Sequence, residues 1–255
     1  MPDLWDVFAE IEYKLRTATG ADGARRGHGW FAALSGQDHG ELNVCGLGPQ
    51  ATAASARELV AVLGELPAVV FTSEHAGGDV RGVLVAEGFN VASAREPLMW
   101  CVERPAAAAG PFRIAPATFD QVGYAISLAA EAHHIDQAML AATIGSAAAD
   151  AAEPWLAWDA NGPVSTVWLV PTNGVLGVTE MMTPPGHQRR GAGRQLLSTA
   201  LAARWTAETT GALLVSTVAG RRLYESLGFV ARDEVITCYR GLDKDVLDAM
   251  GQLSL

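Results

Sequence analysis

The sequence predicts an α/β (α+β) chain of two lobes. Each lobe is a mixed, mostly antiparallel sheet flanked by helices, and the N-terminal one is shortened. Three observations predict this. Asn161-Gly162 and Asn173-Gly174 fall between alternating apolar runs, the strongest short-range signal for β-hairpins. The hairpins lead into a strand–loop–helix–strand–helix series from Glu180 to Phe229. A shortened form of the same order runs through the first half. Aligning Gly88-Phe89 with Gly228-Phe229 lays a helix near residue 52 over one near 192, and Ala68–Thr72 over Ala212–Ser216. An unrelated α/β domain in the first half is the alternative.

Taken in order, Leu4, Val7, Phe8, Ile11 and Leu15 repeat at helical spacing within residues 3–18. A polar, glycine-rich break covers Gly20 to Gly29. Trp30–Ser35 and Glu41–Leu47 then read as paired strands around Gly36-Gln37-Asp38-His39-Gly40. A helix over 52–66, a strand over 68–72, a short helix over 79–87 and a strand over 98–102 complete this lobe. Pro105, a run of alanines, Gly110 and Pro111 form a linker. The expected domains are therefore 1–104, a linker at 105–111, 112–241, and a tail at 242–255. The second domain opens with a strand over 112–115 and helices over 118–133 and 136–143. Antiparallel strands follow over 155–158, 164–170 and 175–183. A helix over 191–209, a strand over 212–216, a helix over 219–227 and paired strands at 229–233 and 235–239 end it.

Hydrophobic residues make up 49% of the chain and charged residues 18%, a balance that builds a packed core rather than a disordered segment. The formal net charge of −10 argues against a nucleic-acid partner, which would need a basic face. It fits a cationic substrate drawn to an acidic surface, and fits plain solubility equally well. No apolar run reaches the ~18 residues of a membrane span, and the start MPDLWDVFAE lacks a basic segment and an apolar core. A cytoplasmic protein without a membrane partner is the expectation. Cys45, Cys101 and Cys238 are widely spaced in apolar settings, which predicts buried thiols, with no disulfide framework and no metal site.

The stretch that carries chemistry is Gln188-Arg189-Arg190-Gly191-Ala192-Gly193, set directly before the apolar helical run Leu196, Leu197, Ala200, Leu201 and Trp205. A helix opened this way presents unpaired backbone N–H groups and the positive end of its dipole. The two glycines let a bulky anion approach the backbone, and Arg189, Arg190 and Arg194 add full charges. The combination is suited to a pyrophosphate. A Walker A loop would need Gly-Lys-Ser/Thr, which is missing here. A dinucleotide fold would need an acidic residue about 20 residues on, closing the next strand. That strand ends instead in Ser216 and Thr217.

This stretch resembles the GCN5-related N-acetyltransferase (GNAT) superfamily, whose Gln/Arg-x-x-Gly-x-Gly/Ala loop is matched by Gln188, Gly191 and Gly193. Pro185 stands where the family often ends the preceding strand with proline. Downstream, Leu223, Tyr224, Gly228 and Phe229 match the family's Leu-Tyr and Gly-Phe phrases, while its Asn and Ala are replaced by Thr217 and Gly220. The strong part of the resemblance covers about half of the chain, with two motifs in the right order.

The resemblance implies acetyl-CoA (coenzyme A) as cofactor and a small-molecule primary amine as acceptor. The pyrophosphate falls to Gln188, Arg189, Arg190, Gly191, Ala192, Gly193 and Arg194. The pantetheine arm falls to the backbone around Met181, Met182 and Thr183, with Thr217 in place of the family's Asn. Arg221 and Arg222 are candidates for the adenosine 3′-phosphate, or form a solvated helix face. Tyr224 occupies the general-acid position, with a ring packed in the core as the alternative; Glu180 is the best-placed carboxylate for a base, and a base acting through water would satisfy the chemistry equally. A bulge at Glu180 would flip the side it faces. His133 and His134 are candidates for the acceptor cleft, and His187 lies beside the phosphate loop. The first lobe's counterpart to the loop, Leu47 to Thr52, lacks arginine, and Leu84 stands in Tyr224's place. The implied protein is a tandem-repeat member with a degenerate N-terminal lobe, as monomer or homodimer. Its activity would be N-acetyl transfer, with an antibiotic or a metabolite as acceptor. Acyl-CoA binding without turnover, in a sensor or partner-binding protein, is the competing reading.

Overall fold

The computed structural model describes residues 2–17, 23–133, 135–145 and 151–241. The chain folds into two compact units that do not coincide with its two halves. Unit 1 contains the described residues of Met1–Met99, Val215–Arg221 and Ala231–Leu255; unit 2 contains Trp100–Leu214 and Arg222–Val230, where described.

Unit 1 opens with α1 (Leu4–Arg16). Asp3 caps it by accepting the N–H groups of Trp5 at 2.9 Å and Asp6 at 3.3 Å. Leu4, Val7, Phe8, Ile11 and Leu15 are all buried, the stripe that the helical spacing predicts. Strand β1 (Ala24–Gly27) turns through His28 and Gly29 into β2 (Trp30–Leu34). Sequence reading placed a break where β1 lies. Its residues Ala-Arg-Arg-Gly carry no apolar alternation, and the strand exists by pairing with β2 alone. Next come β3 (Asn43–Leu47), α2 (Ala53–Leu63), β4 (Ala68–Ser73), α3 (Val80–Ala86) and β5 (Asn90–Cys101, within this unit through Met99). Strands β3 and β4 are parallel neighbours joined by the α2 crossover.

The last described strand, β11 (Val230–Arg240), also belongs to unit 1 from Ala231 onward, and the sheet order is β1-β2-β3-β4-β11-β5. The two paired strands expected at 229–233 and 235–239 are thus one continuous strand. No turn residue separates them, and Val235–Arg240 pair antiparallel with β4 instead. Side chains fasten β11 at both ends. Asp233, 8% exposed, accepts Trp5 Nε1–H at 2.9 Å and Ser73 Oγ–H at 2.7 Å on one carboxylate oxygen. Arg240 donates to the carbonyls of Gly64 and Leu66, and its guanidinium lies 4.6 Å from the centre of the Phe89 ring.

Unit 2 contains β6 (Arg113–Pro116), α4 (Val122–His133), α5 (Gln137–Ile144), β7 (Glu153–Asp159), β8 (Gly162–Thr172), β9 (Val175–Met182), α6 (Ala192–Arg204) and β10 (Gly211–Val215, within this unit through Leu214). Its order is β10-β9-β8-β7-β6, antiparallel except for β10 on β9. Asn173 (φ 47°) and Gly174 (φ 78°) both adopt the left-handed backbone that an Asn-Gly hairpin turn requires. Helix α6 stops at Arg204 rather than Thr209. Trp205 is extended (φ −73°, ψ 115°), and Thr206 and Thr209 bond each other in a turn. The short helix α7 (Arg221–Glu225) straddles the boundary, with Tyr224 in unit 2.

Helices α3 and α7 end alike. Gly88 (φ 82°) and Gly228 (φ 89°) are left-handed, and the next residue's N–H reaches back five residues: Phe89 to Leu84 O at 3.0 Å, Phe229 to Tyr224 O at 3.1 Å.

Candidate active site

The site grows from an irregularity in β9. The β9–β10 register runs from Val175↔Gly211 to Gly177↔Leu213. Beyond Gly177, β9 continues to Met182 against β8, and the edge on the β10 side opens. On the β8 side, Thr166 faces Met182 while Trp168 faces Thr179, so β9 carries one extra residue. Glu180 sits in this bulge with φ 48°. A left-handed glutamate costs about 1–3 kcal/mol, and such strain survives only where the surroundings over-determine it. Its side chain is 5% exposed, and Oε2 lies 3.0 Å from Nε2 of His133, the last residue of α4. The structure therefore brings together two residues that sequence reading placed in separate roles. His134 lies outside the described residues.

The chain leaves β9 through Thr183 and Pro184 into a tight turn at Pro185–His187. Gln188 Nε2 donates back to Thr183 O at 3.0 Å. The buried Ser165 donates to Met182 O at 2.7 Å and lies 2.8 Å from Thr183 Oγ1. These bonds hold the end of the open strand against the loop. Arg189 (φ 61°) and Gly191 (φ 85°) are both left-handed, and Gly191 is the N-cap of α6. No side chain caps this helix, and the first backbone bond closing on the cap is Gln195 N–H to Gly191 O at 3.0 Å. The N–H groups of Ala192, Gly193 and Arg194 thus lack an acceptor within the helix. A Cβ added at Gly191 would meet nothing within 4 Å, so the space at the cap itself is open. One added at Gly193 would stand 2.9 Å from Met181 Cε, 3.4 Å from Thr183 Oγ1 and 3.8 Å from Leu223 Cδ2. Met181, Thr183 and the residue preceding Tyr224 therefore gather around the first turn of α6.

The arginines divide. Arg189 and Arg194 are exposed. Arg190 is tied down, 3.2 Å from Asp159 Oδ2 and 3.2 Å from His187 Nδ1, with its guanidinium 5.8 Å from the centre of the Phe112 ring. The backbone N–H of Asn161, with Arg190, holds the Asp159 carboxyl below the usual carboxylate range. Arg222 is exposed. Thr217 falls in unit 1, where its hydroxyl accepts Gly220 N–H at 3.1 Å.

Tyr224 is 8% exposed, its ring edge-on to Phe229 at 5.9 Å. Burial pushes its phenol pKa above the ordinary range, so the hydroxyl keeps its proton throughout the neutral region. Sequence reading missed Ser165 and Asp159. Neither stands in a motif, and what each touches depends on strand register, which spacing alone does not reveal.

The arrangement meets an independent match. Residues 150–231 fit the model of the acetyltransferase (GNAT) domain, a span that takes in the bulge, the loop and Tyr224. No curated protein matches the chain. Among solved structures, the chain is similar to a GCN5-related N-acetyltransferase from Kribbella flavida, with TM-score 0.65 and 17% identity over 94% of this chain and 96% of that one. One from Sphaerobacter thermophilus gives TM-score 0.56 and 12% identity, over 83% and 76% of the two chains. A GCN5-related N-acetyltransferase-like protein from Streptococcus suis 89/1591 gives 0.55 and 11%, over 83% and 84%. At these identities the likeness is one of fold, a mixed sheet flanked by helices. The domain match rests on residues 150–231, and over the rest of the chain the likeness to these acetyltransferases is one of fold.

Proposed function

We propose that the protein moves an acetyl, or another short acyl, group from acetyl-CoA directly to a primary amine of a small molecule. The observation that carries this reading is the uncapped start of α6 with open space at Gly191, beside the open edge of β9. Three backbone donors and a dipole suit a pyrophosphate, and an unpaired strand edge suits the amides of a pantetheine arm. Gln188, Arg189, Gly191, Ala192, Gly193 and Arg194 would hold the pyrophosphate, with Arg190 setting the loop from Asp159. The backbone of Met181, Met182 and Thr183 would hold the arm. Thr217 would add at most a hydroxyl contact, and Arg222 a contact to the 3′-phosphate.

The bound cofactor supplies an activated thioester; the chain supplies orientation and proton handling. Tyr224, protonated at neutral pH, is the acid for the departing thiolate. Glu180 is the base for the incoming amine, and His133, a candidate for the acceptor cleft from the sequence, lies against it. The net charge of −10 favours a cationic acceptor, an antibiotic or a metabolite. In this reading the protein is cytoplasmic, as monomer or homodimer. No helix among the described residues is long and apolar enough to cross a membrane.

The first half, within 1–104, is read as a degenerate copy of the domain at 112–241. Support comes from β3-α2-β4, which has the strand–helix–parallel-strand order of β9-α6-β10, and from the matching ends of α3 and α7. The start of α2 differs from that of α6: Thr52 and Ser55 close it in a reciprocal capping box, so the Ser55 N–H, counterpart of the Arg194 N–H in α6, is already taken.

Calorimetry with acetyl-CoA, followed by free-thiol release over a panel of amines, tests the proposal. Binding followed by thiol release with any amine supports it and names the acceptor class. Binding without turnover would favour a sensor, and wild-type protein that binds no CoA would remove the cofactor and the activity alike.

A further inference from the structure

His133 has a role to which neither the loop nor the fold points, and the inference rests on reading Glu180 as the base. Glu180 is set by its backbone rather than by its rotamer alone. One extra residue in β9 and a left-handed φ of 48° turn its side chain out of the regular alternation of the strand. The carboxylate that results is covered, at 5% exposure, and an ionised carboxylate under cover needs a donor to remain charged. His133 Nε2 at 3.0 Å meets that need from a different element, the end of α4. Since an ionised carboxylate only accepts, Nε2 must carry the proton.

We propose that His133 is the positioning residue of the base: it donates from Nε2 to Glu180 Oε2 and fixes the carboxylate, and contact with the acceptor falls to Glu180. In the reaction, Glu180 takes one proton from the ammonium group of the acceptor and later releases it to solvent. The freed nitrogen pair forms the C–N bond as the C–S bond breaks, and Tyr224 gives its proton to the sulfur. The second proton lost by the nitrogen returns the phenol to its starting state through solvent, so each turnover releases one proton net.

The test uses the full chain as wild type, Glu180→Gln, His133→Gln, His133→Leu and the double variant Glu180→Gln/His133→Leu. Thiol release from acetyl-CoA is measured with spermidine, tryptamine and kanamycin as probe amines, and circular-dichroism melts establish folding. His133→Leu is expected to lower kcat about 10- to 100-fold, with the KM values for amine and acetyl-CoA within about twofold. His133→Gln, which keeps an N–H donor, should recover at least about a third of the wild-type rate, and in the Glu180→Gln background the leucine should cost less than about twofold more. A side chain that instead contacted the acceptor would raise the amine KM and multiply with Glu180→Gln, which overturns the proposal. A slow Glu180→Gln beside a folded His133→Leu at wild-type rate also overturns it, while leaving Glu180 as the base. Wild type that turns over none of the probes, or Glu180→Gln at full rate, removes the base and this inference together. Should His133→Leu fail to fold, nitrogen-15 spectra of labelled wild type decide the matter. His133 in its Nε2–H form, with shifts that move in Glu180→Gln, supports the proposal, and the Nδ1–H form overturns it.

Discussion

Replacing Gly191 by alanine and by tryptophan separates the shape of the loop from its ligand. Gly191 has φ 85° and ψ 1°, where an L-residue costs about 1–2 kcal/mol. Its Cβ position is empty to 4 Å, so no clash adds to that cost. For a chain of this size about 1 kcal/mol lowers Tm by roughly 2–4 °C, and both variants should melt about 2–8 °C below wild type. Binding should respond far more strongly. An indole at the cap crowds the N–H groups of Ala192, Gly193 and Arg194 that follow it, and a hydrogen bond to a charged group contributes about 1.5–3 kcal/mol. Displacing a pyrophosphate from all of them costs at least about 4 kcal/mol, roughly a thousandfold in Kd. Alanine, too small to fill the space, should lose about tenfold or less. Titration calorimetry with acetyl-CoA beside thermal melts gives both numbers. A folded Gly191→Trp that binds within threefold of wild type would refute the placement of the cofactor at this helix.

Other perturbations test other parts. Tyr224→Phe should lower kcat about 100-fold with little change in the acetyl-CoA KM, since the phenol acts only as charge develops on sulfur. Because burial raises this phenol, wild-type activity should persist to pH values above the usual phenol pKa of about 10 before the acid is lost; a basic limb near pH 8 would contradict its role. Asp233→Ala strands Trp5 Nε1–H and Ser73 Oγ–H under cover, costing about 3 kcal/mol or more, and should lower Tm by roughly 6–12 °C. A shift under 2 °C would mean that β11 is not fastened there. Glu96 tests the sign of a buried carboxyl. Burial raises its pKa, the Thr237 hydroxyl at 2.7 Å pulls the other way, and Glu41 adds to the rise. A carboxyl with a raised folded pKa stabilises the native state below its unfolded range, and that contribution fades as pH climbs through the folded pKa. Glu96→Gln should therefore melt with wild type near pH 4 and above it at pH 8; an equal gap at both pH values would refute the assignment.

Local chemistry was readable in the sequence where one segment decides the outcome. The Asn173-Gly174 turn, the apolar stripe of α1 and the loop from Gln188 to Gly193 each rest on residues a few positions apart, and each stands where spacing predicts. Legibility failed where a distant partner decides. Strand β1 is polar and owes its form to β2, and β5 begins at Asn90, well before the apolar run at Leu98 that marks it in the sequence. The end of α6 was placed five residues late because the apolar spacing continues through Trp205 after the backbone has left the helix. At the site, the bulge at Glu180 was foreseen as a possibility, but its partner was not, since 47 residues separate His133 from Glu180. Arg190 reads as a phosphate ligand until register delivers Asp159 to it across 31 residues.

The position of β11 bears on how the protein is made. Ribosomes release β4 and β5 long before residues 231–240 emerge, yet that late strand lies between the two in the finished sheet. During synthesis the facing edges of β4 and β5 must wait, exposing unpaired backbone of the kind that recruits other chains. A message broken after Phe229 would encode the loop and Tyr224 intact but leave that gap permanently open. Loss of the final strand would thus register as aggregation seeded by β4 and β5 in the N-terminal half, far along the chain from the missing residues.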